Sequence, residues 1–126
     1  MLSQKQEQQH NFSFGSQGER QAVEFLKKEG YQILDVNVSF NTQEIDIIAL
    51  DTELDEIVFV EVKSRWSDEY GHPSKAVTRE KLRNIQYVAG VYRQQRKLDK
   101  DYRFDIITVI TDTSEIEHFE NVTWLG

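Results

Sequence analysis

Apolar residues recur along this chain first at helical spacing and then at strand spacing. The first helical group contains Ala22, Phe25 and Leu26. Ser16 and Glu19 precede it in the pattern of a capping box, and Gly30 stands where a helix-ending C′ residue is expected. The spacing therefore predicts a helix over about 17–29.

Three strand-like segments follow, at about 31–40, 44–50 and 57–63. The third is almost wholly apolar, which is typical of a strand covered on both faces. Between the last two, residues 52–55 are polar and predict a four-residue hairpin turn. We therefore expect the strand Ile57–Lys63 to be central and to pair antiparallel with Glu44–Leu50.

A second helix is predicted from about Thr78 to Arg96, followed by a strand at 104–111 and a short one at 116–122. The apolar stripe of this second helix should pack on the sheet. The stripe comprises Leu82, Ile85, Ala89 and Tyr92. The order α-β-β-β-α-β-(β) predicts an α/β fold, in which helices flank a mixed central sheet. We expect one domain over 15–126 and a mobile polar tail over 1–14.

Composition excludes several classes of protein. The 126 residues contain no Cys, so a disulfide framework and a Cys-ligated zinc site are excluded. No apolar run approaches the ~18 residues of a membrane span, and the first ten residues lack the apolar stretch of a secretory signal. A cytoplasmic protein without membrane association is expected.

The charge is unevenly distributed. The chain carries a net charge of −7, yet residues 75–103 contain nine Lys or Arg and three acids. This segment could form a polyanion-binding face, or it could be an ordinary solvated helix face. In either case Arg79, Arg83 and Arg93 are predicted to face water or nucleic acid.

Three charged residues stand out because they interrupt apolar strands. A hairpin that pairs Asp51 with Glu56 also places Asp46 opposite Glu61, and Lys63 shares the face of Glu61. Two facing carboxylates repel unless a cation joins them, and their oxygens suit Mg²⁺ or Mn²⁺. Lys63 could then orient or deprotonate a water. The alternative is a Glu61–Lys63 surface salt bridge, with Asp46 pointing to solvent.

Several motifs together resemble a known family. They are Gly18-Glu19, Gly30-Tyr31, Asn37, Glu44-Ile45-Asp46, Val60-Glu61-Val62-Lys63, Gly71-x-Pro73 and Arg103-Phe104-Asp105. In order and spacing, over about 15–122, they resemble the bacterial YraN-like family. That family is assigned to the PD-(D/E)XK nuclease superfamily and is similar to archaeal Holliday-junction resolvases. The resemblance implies a restriction-endonuclease-like fold.

The resemblance also implies an activity: metal-dependent hydrolysis of DNA phosphodiester bonds, on branched or single-stranded DNA. Asp46, Glu61 and Lys63 would be the metal-binding and catalytic core, with Mg²⁺ or Mn²⁺ as cofactor. The Val62 carbonyl would be a further ligand, and Glu19 an additional catalytic acid. Gln43 and Ser39 depart from the family pattern, which has Gly and a basic residue there. A homodimer is one further implication.

Other polar residues are candidates for nucleic-acid contacts. They are Arg65, Lys81, Arg83 and Gln86, for which solvated positions are the alternative. Arg103 and Asp105 are expected to form a structural ion pair, and no His pair has ligand spacing. Two other functions stay open: a nucleic-acid-binding module that does not cut, and a protein-interaction domain.

Overall fold

The computed structural model describes residues 14–65 and 79–122. Its elements are α1 (Gln17–Lys28), β1 (Gln32–Phe40), β2 (Gln43–Asp51), β3 (Glu56–Arg65), α2 (Arg79–Arg96), β4 (Tyr102–Ile110) and β5 (Glu115–Phe119). The predicted α/β class and element order are confirmed, and the arrangement is consistent with a nuclease-like fold. The predicted tail lies almost wholly outside the described residues, as do Thr78, Gly71 and Pro73.

Helix α1 begins and ends at the predicted signals. The Ser16 hydroxyl accepts a hydrogen bond from the Glu19 amide at 3.1 Å. The Glu19 carboxylate accepts one from the Gly15 amide at 2.8 Å, one residue before the position that a standard capping box would use. At the other end Gly30 has φ +95°, and the Tyr31 amide donates to the Leu26 carbonyl. This is a Schellman ending, which glycine adopts without strain.

The five strands form one mixed sheet in the order β1-β2-β3-β4-β5. Strand β3 is central, antiparallel to β2 and parallel to β4, and α2 lies in the crossover between β3 and β4. The predicted hairpin register is confirmed from Asp51↔Glu56 to Ile47↔Val60, where the ladder ends. Within the described ranges, no helix combines the length and apolarity needed to cross a membrane.

Helices α1 and α2 cover opposite faces of the sheet. Val58 and Val60 pack in the cluster that contains Leu26 of α1, whereas Ile57 and Phe59 pack in the cluster that contains Ile85 of α2. Because side chains alternate along a strand, Glu61 and Lys63 continue the Phe59 face and lie on the α2 side. The predicted apolar stripe of α2 is buried on that side.

Strands β1 and β2 change faces partway along their length. Val36 and Ile47 pack toward α1, whereas Val38 and Ile45, two residues farther toward the strand ends, pack toward α2. Asn37 lies at the change and has φ +50°, a left-handed conformation within a strand. A regular strand would keep residues two apart on one face. The distortion therefore rotates the end of the hairpin that carries Asp46.

The basic segment does not form one solvated face. Arg79 and Arg83 are exposed as predicted, whereas Arg93 is half-buried. Its guanidinium stacks on the Tyr102 ring at 3.9 Å, and its Nε is buried without a hydrogen-bond partner in the described ranges. Arg103 is buried among acids. Some basic side chains of this segment therefore contact aromatic or acidic residues instead of facing solvent.

Candidate metal and nucleic-acid site

The candidate site lies where the β2–β3 ladder ends. Beyond the last pair, Ile47↔Val60, the Asp46 carboxylate accepts a hydrogen bond from the Val62 amide at 2.7 Å. The side chain of Asp46 therefore replaces the next backbone partner of β3. This geometry excludes the alternative in which Asp46 points to solvent.

The pKa of the Asp46 carboxyl group is strongly shifted. Burial, followed by the negative charge of Glu61, raises the pKa of Asp46 to about 7. Glu19 and Glu44 add to the rise, and the hydrogen bond from Val62 opposes it. Three negative neighbours around a buried carboxylate create an environment that a cation would stabilise.

Glu61 is the second acid of the site, and it is buried. Its side chain is 8% exposed, and one oxygen, Oε1, lies 3.6 Å from Lys63 Nζ and 3.4 Å from Lys81 Nζ. The other oxygen, Oε2, is buried and has no hydrogen-bond partner among residues 14–65 and 79–122. The Glu61–Lys63 pair exists, but it is not the surface salt bridge of the alternative interpretation. A buried oxygen without a partner is costly unless something binds it.

Two further acids lie at the site: Glu19, which was predicted, and Glu44, which sequence reasoning did not select. Carboxylate oxygens of Glu19, Glu44 and Asp46 all lie within 4.8 Å of one another. Glu44 and Asp46 are two residues apart on β2, and that spacing could have indicated their shared position. Glu19 reaches them from the first turn of α1, where a hydrogen bond from the Glu19 amide to the Ser16 hydroxyl fixes the backbone.

The remaining candidates are distributed differently. Lys81, in the first turn of α2, joins the site through Glu61. Arg65 ends β3 half-buried, and its carbonyl accepts hydrogen bonds from the amide and hydroxyl of Thr111. Arg83 and Gln86 are exposed on α2. In the part of the chain that is described, no ion pair or hydrogen bond joins these two to the acids of the site.

The donor set fits a divalent cation. Asp46, Glu61, Glu44 and Glu19 offer hard carboxylate oxygens, which Mg²⁺ and Mn²⁺ prefer. The partnerless Oε2 of Glu61 and the raised pKa of Asp46 both indicate missing positive charge. The Val62 carbonyl, the further ligand implied by the resemblance, belongs to the residue whose amide already binds Asp46.

A second charged cluster lies at the opposite end of β3, around the buried Arg103. Its guanidinium donates hydrogen bonds to a phenol and four carboxylates, those of Tyr31, Asp51, Glu56, Asp105 and Glu120. The predicted Arg103–Asp105 ion pair is confirmed within this network. His118 Nε2 also lies 2.7 Å from Asp105, so this histidine is not isolated.

The pKa values of this second cluster show that its charges are compensated. Burial alone would raise the pKa of Asp51, but hydrogen bonds from Arg103 and from the Leu54 and Glu53 amides lower it. Burial alone would lower the pKa of Arg103, and its bonds with Asp105 and Asp51 raise it instead. Sequence reasoning missed most of these partners because the network joins residues from distant parts of the chain.

The sequence is similar to one family of proteins. A family model described as "Uncharacterised protein family UPF0102" matches residues 18–109. A UPF0102 protein of Caldicellulosiruptor saccharolyticus is 48% identical over 96 residues, 75% of this chain and 80% of the relative. One from Geobacter metallireducens is 44% identical, over 89% of this chain and 93% of the relative. One from Alkaliphilus oremlandii is 43% identical, over 88% of this chain and 97% of the relative.

Proposed function

The chain belongs to the UPF0102 family, and we propose that it is a divalent-metal-dependent endonuclease that hydrolyses DNA phosphodiester bonds. Branched or single-stranded DNA is the proposed substrate. One observation carries the proposal: acids gather where the hairpin ladder ends. Asp46 lies within 4.8 Å of Glu19 and Glu44 and binds the Val62 amide next to Glu61, whose buried oxygen Oε2 has no partner in the described residues. Lys63 stands beside the same carboxylate.

Asp46, Glu61 and the Val62 carbonyl would hold a Mg²⁺ or Mn²⁺ ion, with Glu19 and Glu44 adjacent. When bound, the ion would supply positive charge to a phosphate oxygen and lower the pKa of a water. Asp46 must be ionised to bind it, and Asp46 would bind better as the pH rises through about 7.

Lys63 has the role of holding the attacking water and balancing negative charge at phosphorus. In the hydrolysis the water oxygen forms a new bond to phosphorus, the bond to one ester oxygen breaks, and the water's proton ends on that leaving oxygen. The side chain of Lys63 is 33% exposed, so its ammonium could contact an approaching phosphate as well as Glu61.

The experiment is a cleavage assay with Mg²⁺ and with Mn²⁺ on linear, flapped and four-way DNA, paired with thermal unfolding in the same ions. We expect Mn²⁺ to raise the melting temperature, because a ligand that binds the folded state stabilises it. Asp46→Asn should reduce that rise and abolish cleavage. Lys63→Ala should retain the rise in melting temperature, and its cleavage rate should fall at least about 100-fold, the usual cost of removing one group that stabilises charge in the transition state.

Lys100→Ala is the matched control, because this lysine also pairs with a carboxylate but lies at the other end of the fold. It should cleave like the wild type. If millimolar Mn²⁺ leaves the melting temperature unchanged and no DNA is cut, the nuclease proposal fails. Salt-sensitive DNA binding without cleavage would then favour a binding module. Sedimentation of the wild type tests the homodimer.

A further inference from the structure

Two lysines from different elements approach a single carboxylate oxygen. Glu61 Oε1 lies 3.6 Å from Lys63, on its own strand, and 3.4 Å from Lys81, in the first turn of α2. The partnerless Oε2 of the same carboxylate is buried beside them. One carboxylate thus faces two ammonium groups.

Such an arrangement cannot stay unchanged if Glu61 binds a divalent ion. A divalent ion at this carboxylate would stand close to both ammonium groups, and like charges at such distances repel strongly. Displacement of one lysine would relieve this repulsion. Lys81 is the more exposed of the two, at 41% against 33%, and it reaches Glu61 from a helix rather than from the strand.

We propose that Lys81 is a second active-site lysine, which pairs with Glu61 when the metal is absent and contacts a DNA phosphate when metal is bound. This inference rests on the proposed function. A backbone phosphate supplies the negative charge that Lys81 loses when it leaves Glu61. Arg79 is also exposed at this end of α2, beside the acidic Glu80.

The pairing also gives Lys81 an effect on metal affinity that a mere DNA contact would not have. In the metal-free protein its ammonium competes with the metal for Glu61. Replacing Lys81 by a neutral side chain should therefore strengthen metal binding while it weakens DNA binding. A lysine that is only part of a solvated helix face would change neither.

The test compares Lys81→Met with Lys100→Met. Both wild-type lysine side chains are 41% exposed and both pair with a carboxylate, so the two variants lose the same charge from equally exposed side chains. Only the carboxylate that pairs with Lys81 is buried. The probes are Mn²⁺ alone, followed by thermal unfolding, and a four-way DNA junction in Ca²⁺, followed by binding at several salt concentrations. Single-turnover cleavage in Mn²⁺ is the third measurement.

For Lys81→Met we expect the Mn²⁺ concentration for half-maximal stabilisation to fall about threefold or more, since a competing charge is lost. DNA affinity should fall about tenfold, and the salt slope of binding should decrease by about one phosphate contact. Lys81→Arg should restore DNA binding. Lys100→Met should match the wild type in all three measurements.

If the wild type binds Mn²⁺ and cuts DNA, but Lys81→Met behaves like Lys100→Met, this inference fails and the proposed function stands. It also fails if Lys81→Met weakens Mn²⁺ binding, since Lys81 would then support the metal site rather than compete with it. If the wild type neither binds Mn²⁺ nor cuts, the proposed function fails and the inference fails with it.

Discussion

An acidic cluster lies at each end of β3, and the two clusters differ in how far nearby positive charge compensates them. At the β2–β3 turn, four carboxylates surround the buried Arg103, and the pKa of Asp51 is lowered. At the other end, the pKa of Asp46 is raised, and a buried oxygen of Glu61 has no partner in the described residues. Similar residue types thus stabilise the fold at one end and leave a demand for positive charge at the other.

The first test removes the central cation of the compensated end. Arg103→Met should lower the free energy of unfolding by about 3–5 kcal/mol, because it removes the cation that pairs with the buried carboxylates of Asp51 and Asp105. Arg103→Lys, which keeps the charge but not the five donors, should lose less. Urea denaturation of both, with the exposed Arg79→Met as control, measures the effect. A loss for Arg103→Met below that of Arg103→Lys would contradict the comparison.

The second test concerns the uncompensated end, where we expect a substitution to increase the stability of the fold rather than to lower it. The carboxyl of Asp46 titrates near 3.8 in the unfolded chain and near 7 in the folded one. Between these values the folded state binds more protons, so this group makes the protein less stable as pH rises from about 4 to 7. Asp46→Asn removes the charge, while its amide oxygen can still accept the bond from Val62.

At pH 8 and without metal, Asp46→Asn should therefore be more stable than the wild type, by on the order of 1–4 kcal/mol. The difference should largely vanish near pH 4. Thermal unfolding in chelator across this range measures it, and Asp112→Asn in an exposed turn is the control. A variant less stable than the wild type at pH 8 would show that Asp46 stabilises the fold in its charged form.

The third and smallest test concerns the backbone beside Asp46. Asn37 has φ +50° within β1, where the faces of β1 and β2 change. Asn37→Gly and Asn37→Ala both remove the side chain, so their difference isolates the backbone conformation. We expect the Gly variant to be more stable than the Ala variant by about 1–2 kcal/mol. Equal melting temperatures would mean that β1 relaxes there.

Local signals in the sequence predicted most of the fold. Ser16 and Gly30 mark the ends of α1 because capping depends on residues within one turn of each other. The four-residue turn fixed the register of β2 against β3 as far as Ile47↔Val60. The apolar stripe of α2 followed from spacing alone. Each of these features depends on neighbours that are close along the chain.

The site was only partly predictable for the same reason. Asp46, Glu61 and Lys63 share one hairpin, which explains why they lie near each other, but the predicted pairing of Asp46 with Glu61 is not formed. The ladder ends at Ile47↔Val60, and the Asp46 carboxylate binds the Val62 amide instead. Lys81 reaches Glu61 from a helix twenty residues later in the chain, so only tertiary packing brings them together. Sequence reasoning also gave no indication of the left-handed Asn37, because asparagine occurs in regular strands and in turns alike.

The irregular shape of β1 has a consequence for self-association. This strand is an outer strand of the sheet, and an exposed strand edge is a template on which other chains can add. Here the edge is interrupted twice, by the irregularity between Ile33 and Asp35 and by the left-handed Asn37. As a result, the edge of β1 does not present a long row of evenly spaced backbone donors and acceptors. The distortion beside Asp46 thus also protects the molecule against edge-to-edge aggregation.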